Sequence, residues 1–260
     1  MFRATRASLA LRRLLCEGFS GVFQATGARV SEGANIAVLF RDDAYVVVDK
    51  PSGIVVHPGW AQDEGGVVKL LGQQLGQKVY PLHRLDRGAS GVLAFALDRA
   101  AANAGAQAFA EGRVHKSYIA IVRGHPPVHV VVDHAIPNEE GSDKRVPAVT
   151  EVHRLGLWER YGLVLAQPRT GRLHQIRRHL KHLSCPLIGD ANYGKSEHNR
   201  FFKERFGLHR LALHALALSL PREDGTYLNV QAPLSGSFEA CVQAMGLAGA
   251  VAEALARLPM

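Results

Sequence analysis

The chain has 260 residues, 47% of them hydrophobic and 21% charged. That composition excludes a disordered chain, and no run reaches the ~18–20 apolar residues of a membrane helix. Lysine plus arginine total 31 against 23 acids, a net charge of +8, which points to a polyanionic partner, nucleic acid being the commonest. Cys16, Cys185 and Cys241 are too few and too scattered for a disulfide framework and fit a reducing compartment.

Residues 1–35 read as a basic, mobile extension: Arg3, Arg6, Arg12 and Arg13 precede the first acid, Glu17. Alanine, serine and leucine between them resemble the composition of a transit peptide. The core is expected over 36–260. Ile36–Phe40 and Tyr45–Val48 are β-rich runs split by the turn Arg41-Asp42-Asp43. Pro51-Ser52-Gly53 is a turn, and Ile54–Val56 resumes strand character. Val67–Leu75 reads as a helix. Gly91–Leu97 is a strand running into an alanine-rich helix, capped by Asp98 and ending near Gly112. Tyr118–Val122, Val128–Val132, Val149–Leu155 and Leu163–Ala166 are strands, with a polar loop at 137–147. Leu173–Leu183 is a basic helix with Thr170 as its candidate N-cap. Leu211–Leu220 fits strand or helix, Val230 ends a short strand, and the last 25 residues read as helical. Strands and helices mix without βαβ alternation, which predicts an α+β fold with a largely antiparallel sheet.

Three constellations could carry chemistry. His83-Arg84-Leu85-Asp86-Arg87-Gly88-Ala89-Ser90-Gly91 packs one carboxylate between two arginines. A neighbouring guanidinium favours the ionised form, and a positioned carboxylate can act as a nucleophile. The plainer alternative is a turn aspartate in a surface ion pair. In Lys116–Gly124 a strand puts Lys116, Tyr118 and Ala120 on one face. Tyr118 there is a core residue, a stacking surface for a base or a proton carrier. Arg169–His182 sets Arg172, Arg177, Arg178 and Lys181 on about three turns, with no acid between Glu159 and Asp190. Cations at that density suit phosphates, where a solvated helix face is the alternative.

Two patterns are discounted. Gly189-Asp190-Ala191-Asn192-Tyr193-Gly194-Lys195-Ser196 matches a P-loop, but only Leu187-Ile188 precedes it and a wholly polar stretch follows. A phosphate-binding loop needs a buried strand before it and an amphipathic helix after it. His174, His179 and His182 lack the i,i+4 spacing of a zinc helix, so no metal is expected.

Taken together, Lys50-Pro51-Ser52-Gly53, Val56-His57-Pro58-Gly59, the His83–Gly91 run, Tyr118 and Thr170-Gly171-Arg172-Leu173-His174-Gln175-Ile176-Arg177 resemble, in that order, the RluA family of pseudouridine synthases. The resemblance covers residues 36–235. It implies a mixed, mainly antiparallel sheet with flanking helices and a central RNA cleft. It implies isomerisation of uridine in RNA to pseudouridine, with no cofactor, metal or ATP. Asp86 matches the catalytic aspartate, which attacks the nucleoside or stabilises a glycal-forming path. Arg84 matches the arginine that fills the space of the flipped base. Tyr118 matches the tyrosine that stacks on the base and removes its C5 proton. Arg177 matches the partner of the catalytic carboxylate. Arg172, Lys50 and His174 fall at cleft or phosphate-contact positions.

Residues 188–194, Asn199-Arg200 and the Phe206–Leu211 stretch are similar to the TruC branch, which modifies tRNA at uridine 65. Tyr193 departs from it, standing where that branch usually carries histidine. Ribosomal RNA or another tRNA site is the alternative substrate, and an inactive RNA binder of the same fold the alternative class. Residues 1–35 are too short for the S4 domain of many relatives. A cytoplasmic monomer with no membrane association is expected.

Overall fold

The computed structural model describes residues 35–57 and 66–258. The expected extension lies outside the described residues apart from Asn35, as do Pro58 and Gly59. The first half of the chain forms β1 (Ala37–Arg41), β2 (Tyr45–Lys50), α1 (Val67–Leu75), β3 (Tyr80–Pro81), β4 (Ser90–Ala96) and α2 (Arg99–Ala110). Then follow β5 (His115–Arg123), β6 (His129–Asp133), β7 (Ile136–Pro137), β8 (Arg145–Val146), β9 (Val149–Trp158) and β10 (Tyr161–Pro168). The last part forms α3 (Gln175–His182), α4 (Ser196–Phe206), β11 (Leu213–Pro221), β12 (Tyr227–Gln231), α5 (Gly236–Ala244) and α6 (Ala248–Ala256).

Local chemistry sets several boundaries. Asp42 Oδ1 accepts from the amides of Ala44 and Tyr45 at 2.9 and 2.7 Å, closing the β1–β2 hairpin. Asp98 caps α2 by accepting from the Ala101 amide at 2.8 Å. The main sheet runs β1-β2-β4-β11-β5-β10-β9-β6, with β12 on β11 and β3 on β4. Its pairings are antiparallel except β4–β11, which is parallel over two residue pairs. Gly91 sits at that junction with φ +104°, and a Cβ there would strike the Ala215 carbonyl.

The alternating residues of β5 feed two cores. Tyr118, Ala120 and Val122 pack with Val67 and Leu71 of α1 and with Ile176 and Leu180 of α3. Ile119 and Ile121 pack on the other face with Phe202, Phe238 and Val242 of α4 and α5. A third cluster seats Ala101 and Ala108 of α2 beside β2, β4 and β11. The fold is α+β, with a mostly antiparallel mixed sheet covered by helices. Burying Ile176 and Leu180, at about 1.5–3 kcal/mol each, fixes α3 to the Tyr118 face of the sheet.

Four local expectations are corrected. Ile54–Val56 is no strand: Ile54 and Val56 are buried, and the carbonyls of Val55 and Val56 accept from Val67 and Val68, the opening amides of α1. The 137–147 loop carries the small β7–β8 hairpin. The basic helix starts at Gln175, and His174, at φ +53°, stands in the cap position expected for Thr170. Thr170 instead donates to Gln175 Oε1 at 2.7 Å and accepts from the Val149 amide at 3.1 Å. Finally, the polar stretch after Lys195 is helical, because His198 and Phe202, four apart, bury one stripe of α4.

Candidate active site

Asp86 stands on the turn between β3 and β4, its side chain 24% exposed. Leu85 and Ala89 are buried on either side and anchor the turn. The Lys50–Ile54 segment clasps it from below. Gly53 donates its amide to the Arg87 carbonyl at 2.8 Å, Ser52 Oγ donates to the Gly88 carbonyl at 2.7 Å, and Arg87 Nε returns a bond to Gly53. Two of the sequence constellations are thus one structural unit. His83, the first residue of its motif, is framework: its Nε2 accepts from the Ala94 amide, and burial pushes its pKa down to about 3.

Arg177 reaches Asp86 from α3. Its Nη1 donates to Asp86 Oδ2 at 3.1 Å. Its other two nitrogens grip Asp190, Nε to Oδ2 at 2.7 Å and Nη2 to Oδ1 at 2.9 Å. Asp190 has a fully buried side chain. Burial opposes its charge, but Arg177 and the amides of Tyr193 and Asn192 outweigh that and hold its carboxyl below the usual range. A guanidinium gripped through two of its nitrogens has one direction left for the third. Asp190 therefore positions Arg177, and Arg177 presents a fixed charge to Asp86.

Tyr118, 8% exposed on β5, lies within electrostatic reach of Asp86. Burial first, and the Asp86 charge second, raise its hydroxyl pKa, so the phenol is protonated near neutrality. His174 Nε2 lies 3.8 Å from Asp86 Oδ1, and its Nδ1 meets the Tyr193 hydroxyl at 3.2 Å. Burial lowers the His174 pKa while Asp86 opposes the shift. Asp86, Arg177, His174 and Tyr118 are thus brought together. Arg84 and Arg172 are exposed, Arg84 two residues from Asp86 and Arg172 beside the Pro147 carbonyl.

Lys50 is placed otherwise than a phosphate contact requires. It is 0% exposed, and its Nζ donates to the carbonyls of Ile54 at 2.7 Å, Pro51 at 2.9 Å and Arg87 at 3.4 Å. Burial and the nearby Arg210 push its pKa down to about 7. It ties the clasp to the Asp86 turn from inside. The basic helix is also less open than its sequence suggests. Arg177 is buried in ion pairs, and Arg178 donates to the Pro137 carbonyl and the Tyr193 hydroxyl. Its missing acids come from distant segments.

Sequence reasoning missed the role of Asp190, which lay inside the discounted P-loop pattern. Its carboxylate accepts the Asn192 and Tyr193 amides at 2.9 and 3.0 Å, and its carbonyl accepts from Gly194. The loop's own amides are turned on its own aspartate, which leaves no phosphate cradle there. Tyr193 was noted only as a departure. Its ring lies 5.0 Å from the Arg177 guanidinium and 5.7 Å from Lys181 Nζ, so it is the platform on which the α3 cations rest. The signal for Asp190 was the lack of any nearer acid for a dense row of arginines. His174, His179 and His182 serve different partners: Asp86, Thr150 and the stacked ring of His134.

A family model described as RNA pseudouridylate synthase matches residues 44–182. A tRNA pseudouridine synthase C of Pectobacterium carotovorum is 35% identical over 93% of this chain and 71% of the relative. One of Salmonella typhimurium is 36% identical over 82% of this chain and 91% of the relative. Among solved structures, human RNA pseudouridylate synthase domain containing 4 is 28% identical with a TM-score of 0.69, covering 81% of this chain and 93% of that one. Human RNA pseudouridylate synthase domain containing 1 is 27% identical with a TM-score of 0.68, covering 88% and 99%. These likenesses run through the Asp86 turn and the Arg177 helix alike, and the chain belongs to the RNA pseudouridylate synthase family, enzymes that isomerise uridine in RNA.

Proposed function

We propose that this enzyme acts on tRNA, at uridine 65, with Asp86 as its catalyst. The observation that carries the catalyst is the Arg177 clamp, two nitrogens on buried Asp190 and the third on Asp86. The support for tRNA is the likeness to relatives named tRNA pseudouridine synthase C.

Arg177 occupies Oδ2 of Asp86, so Oδ1, facing His174, is the oxygen offered to the ribose. On the addition path Oδ1 bonds to C1′ as the N1–C1′ bond breaks and its electrons leave with uracil. The base turns, C5 bonds to C1′, the Asp86 oxygen departs, and C5 loses its proton. Tyr118 supplies the surface under the base. A neutral phenol cannot take the C5 proton, and the Asp86 charge is one of the two causes that keep it neutral. Forming the ester at Asp86 removes that charge, so Tyr118 can give its proton to N1 of the departing uracil, and the resulting phenolate takes the C5 proton once C5 has bonded to C1′. Arg84 and Arg172, both exposed beside the site, meet the phosphates and the gap left by the flipped base.

The test is tritium release from C5-labelled uridine in bulk tRNA and in ribosomal RNA, without ATP, followed by mapping of the modified position. Release from tRNA at position 65, abolished in Asp86→Ala while RNA still binds, supports the reading. Release only from ribosomal RNA overturns the substrate. Turnover by Asp86→Ala overturns the catalyst.

A further inference from the structure

On the sheet face opposite Tyr118, three side chains converge at the sheet edge. His129 on β6 and His153 on β9 are direct cross-strand partners, and Glu151 stands two residues before His153 on the same face. His153 pairs in turn with Leu165, whose side chain enters the core on the far side from Tyr118. The two imidazoles stack with centroids 4.4 Å apart at 17°. Both aim Nε2 at one oxygen, Glu151 Oε1, at 2.9 and 3.1 Å. The three donor atoms all lie within 4.8 Å of one another.

Donor atoms held ~2.0–2.1 Å from a tetrahedral zinc ion stand about 3.3 Å apart. The two His–Glu separations are already close to that value. The second carboxylate oxygen, Oε2, is held by Arg169 Nη2 at 3.0 Å. That bond fixes the carboxylate plane and leaves Oε1 to the cluster, as an outer partner does for a metal ligand. The side chains of His129, His153 and Glu151 are 50%, 37% and 24% exposed, so an ion and a completing water have access. Two imidazoles with one carboxylate favour borderline ions such as zinc, whereas magnesium and calcium prefer oxygen donors alone.

We propose that His129, Glu151 and His153 bind a zinc-class divalent ion that staples edge strand β6 to β9, away from the isomerisation site. Among the described residues, β6 pairs only with β9 in the sheet order. It leads directly into the β7–β8 hairpin, whose Pro137 carbonyl receives Arg178 Nη1 at 2.6 Å. The ion would tie down the edge from which that hairpin springs.

The experiment uses the full chain, stripped with EDTA and desalted, and titrated with zinc chloride by calorimetry. Cobalt(II) is the spectroscopic probe, and thermal unfolding is followed with and without zinc. The expected result is one saturable equivalent, tetrahedral cobalt bands and a higher Tm with zinc. His129→Ala, His153→Ala and Glu151→Gln should each weaken binding by at least about tenfold. These positions are exposed or half-buried, and circular dichroism checks that each variant folds. His125→Ala, on the loop before β6, should bind as the parent does. Zinc affinity unchanged in the His129→Ala and His153→Ala variants would put the ion elsewhere and overturn the proposal. Failure of the parent chain to bind zinc, or equal binding of magnesium at this cluster, would overturn it too.

Discussion

Asp190→Asn isolates what the Arg177 clamp does. The native carboxylate accepts from Arg177 Nε and Nη2 and from the amides of Asn192 and Tyr193. Oδ1 takes three of these donors and Oδ2 the fourth. Asparagine can keep its oxygen at the three-donor position, but its amide nitrogen then faces Arg177 Nε, donor against donor. The buried charge of Arg177 also loses its closest counter-ion, since Asp190 has a fully buried side chain. Breaking a buried pair from one side costs about 3–5 kcal/mol, which for a chain of this size lowers Tm by roughly 10 °C. The catalytic loss is separate. Freed from Asp190, Arg177 no longer holds its third nitrogen on Asp86, and one charge-assisted hydrogen bond is worth about 1.5–3 kcal/mol. That predicts a fall in kcat of about 10- to 150-fold, with KM for RNA little changed. Tritium release below the lowered Tm measures the rate, and denaturant melts measure the stability. A variant whose kcat stays within about twofold of the parent and whose stability drops by under about 1 kcal/mol would refute the clamp.

Tyr118→Phe keeps the ring and removes the hydroxyl. If the hydroxyl takes the C5 proton, turnover falls by about 100-fold or more, and a near-normal rate in single-turnover tritium release would leave Tyr118 as a stacking surface alone. Arg84→Ala and Arg172→Ala should each weaken RNA binding and flatten the slope of log affinity against log salt by about 1. Lys50→Met, by contrast, should lower Tm and leave that slope unchanged; a flatter slope would mean that Lys50 reaches phosphate after all. Half-buried His83 and buried His214 are held neutral, with loss of solvation lowering their pKa values to about 3 and about 4. The unfolded chain protonates both near pH 6.5, so it binds more protons than the native state below that pH, and stability falls with acidification by up to about 1.4 kcal/mol per pH unit for each histidine, until pH about 4. Urea melts from pH 7 to 4 check this, and a flat profile contradicts the neutral assignment.

Much of the framework was legible because local rules and global fold agree. Short apolar runs marked β5 and β10, Asp98 announced the start of α2, and Val67–Leu75 was found at the observed limits of α1. The reading went astray where a residue's partner is distant. Ile54–Val56 looked like strand because it is apolar, but its carbonyls cap α1 rather than join a ladder. The stretch after Lys195 looked wholly polar and unfit to open an amphipathic helix, and only the burial of Phe202 in the core makes Ser196–Phe206 one.

The sequence by itself determined the catalytic candidates. Asp86, Tyr118 and Arg177 sit in runs whose residue types and order carry the family's chemistry in one dimension. Only the tertiary structure decided what each cation does. Lys50 and Arg177 are both basic residues in motifs, yet Lys50 spends its charge on three carbonyls and Arg177 is divided between two aspartates. Asp190 lies 13 residues from Arg177, and Asp86 lies 91 from it. Ion pairing depends on distance in space and on burial, and chain order encodes neither until the sheet and α3 have packed.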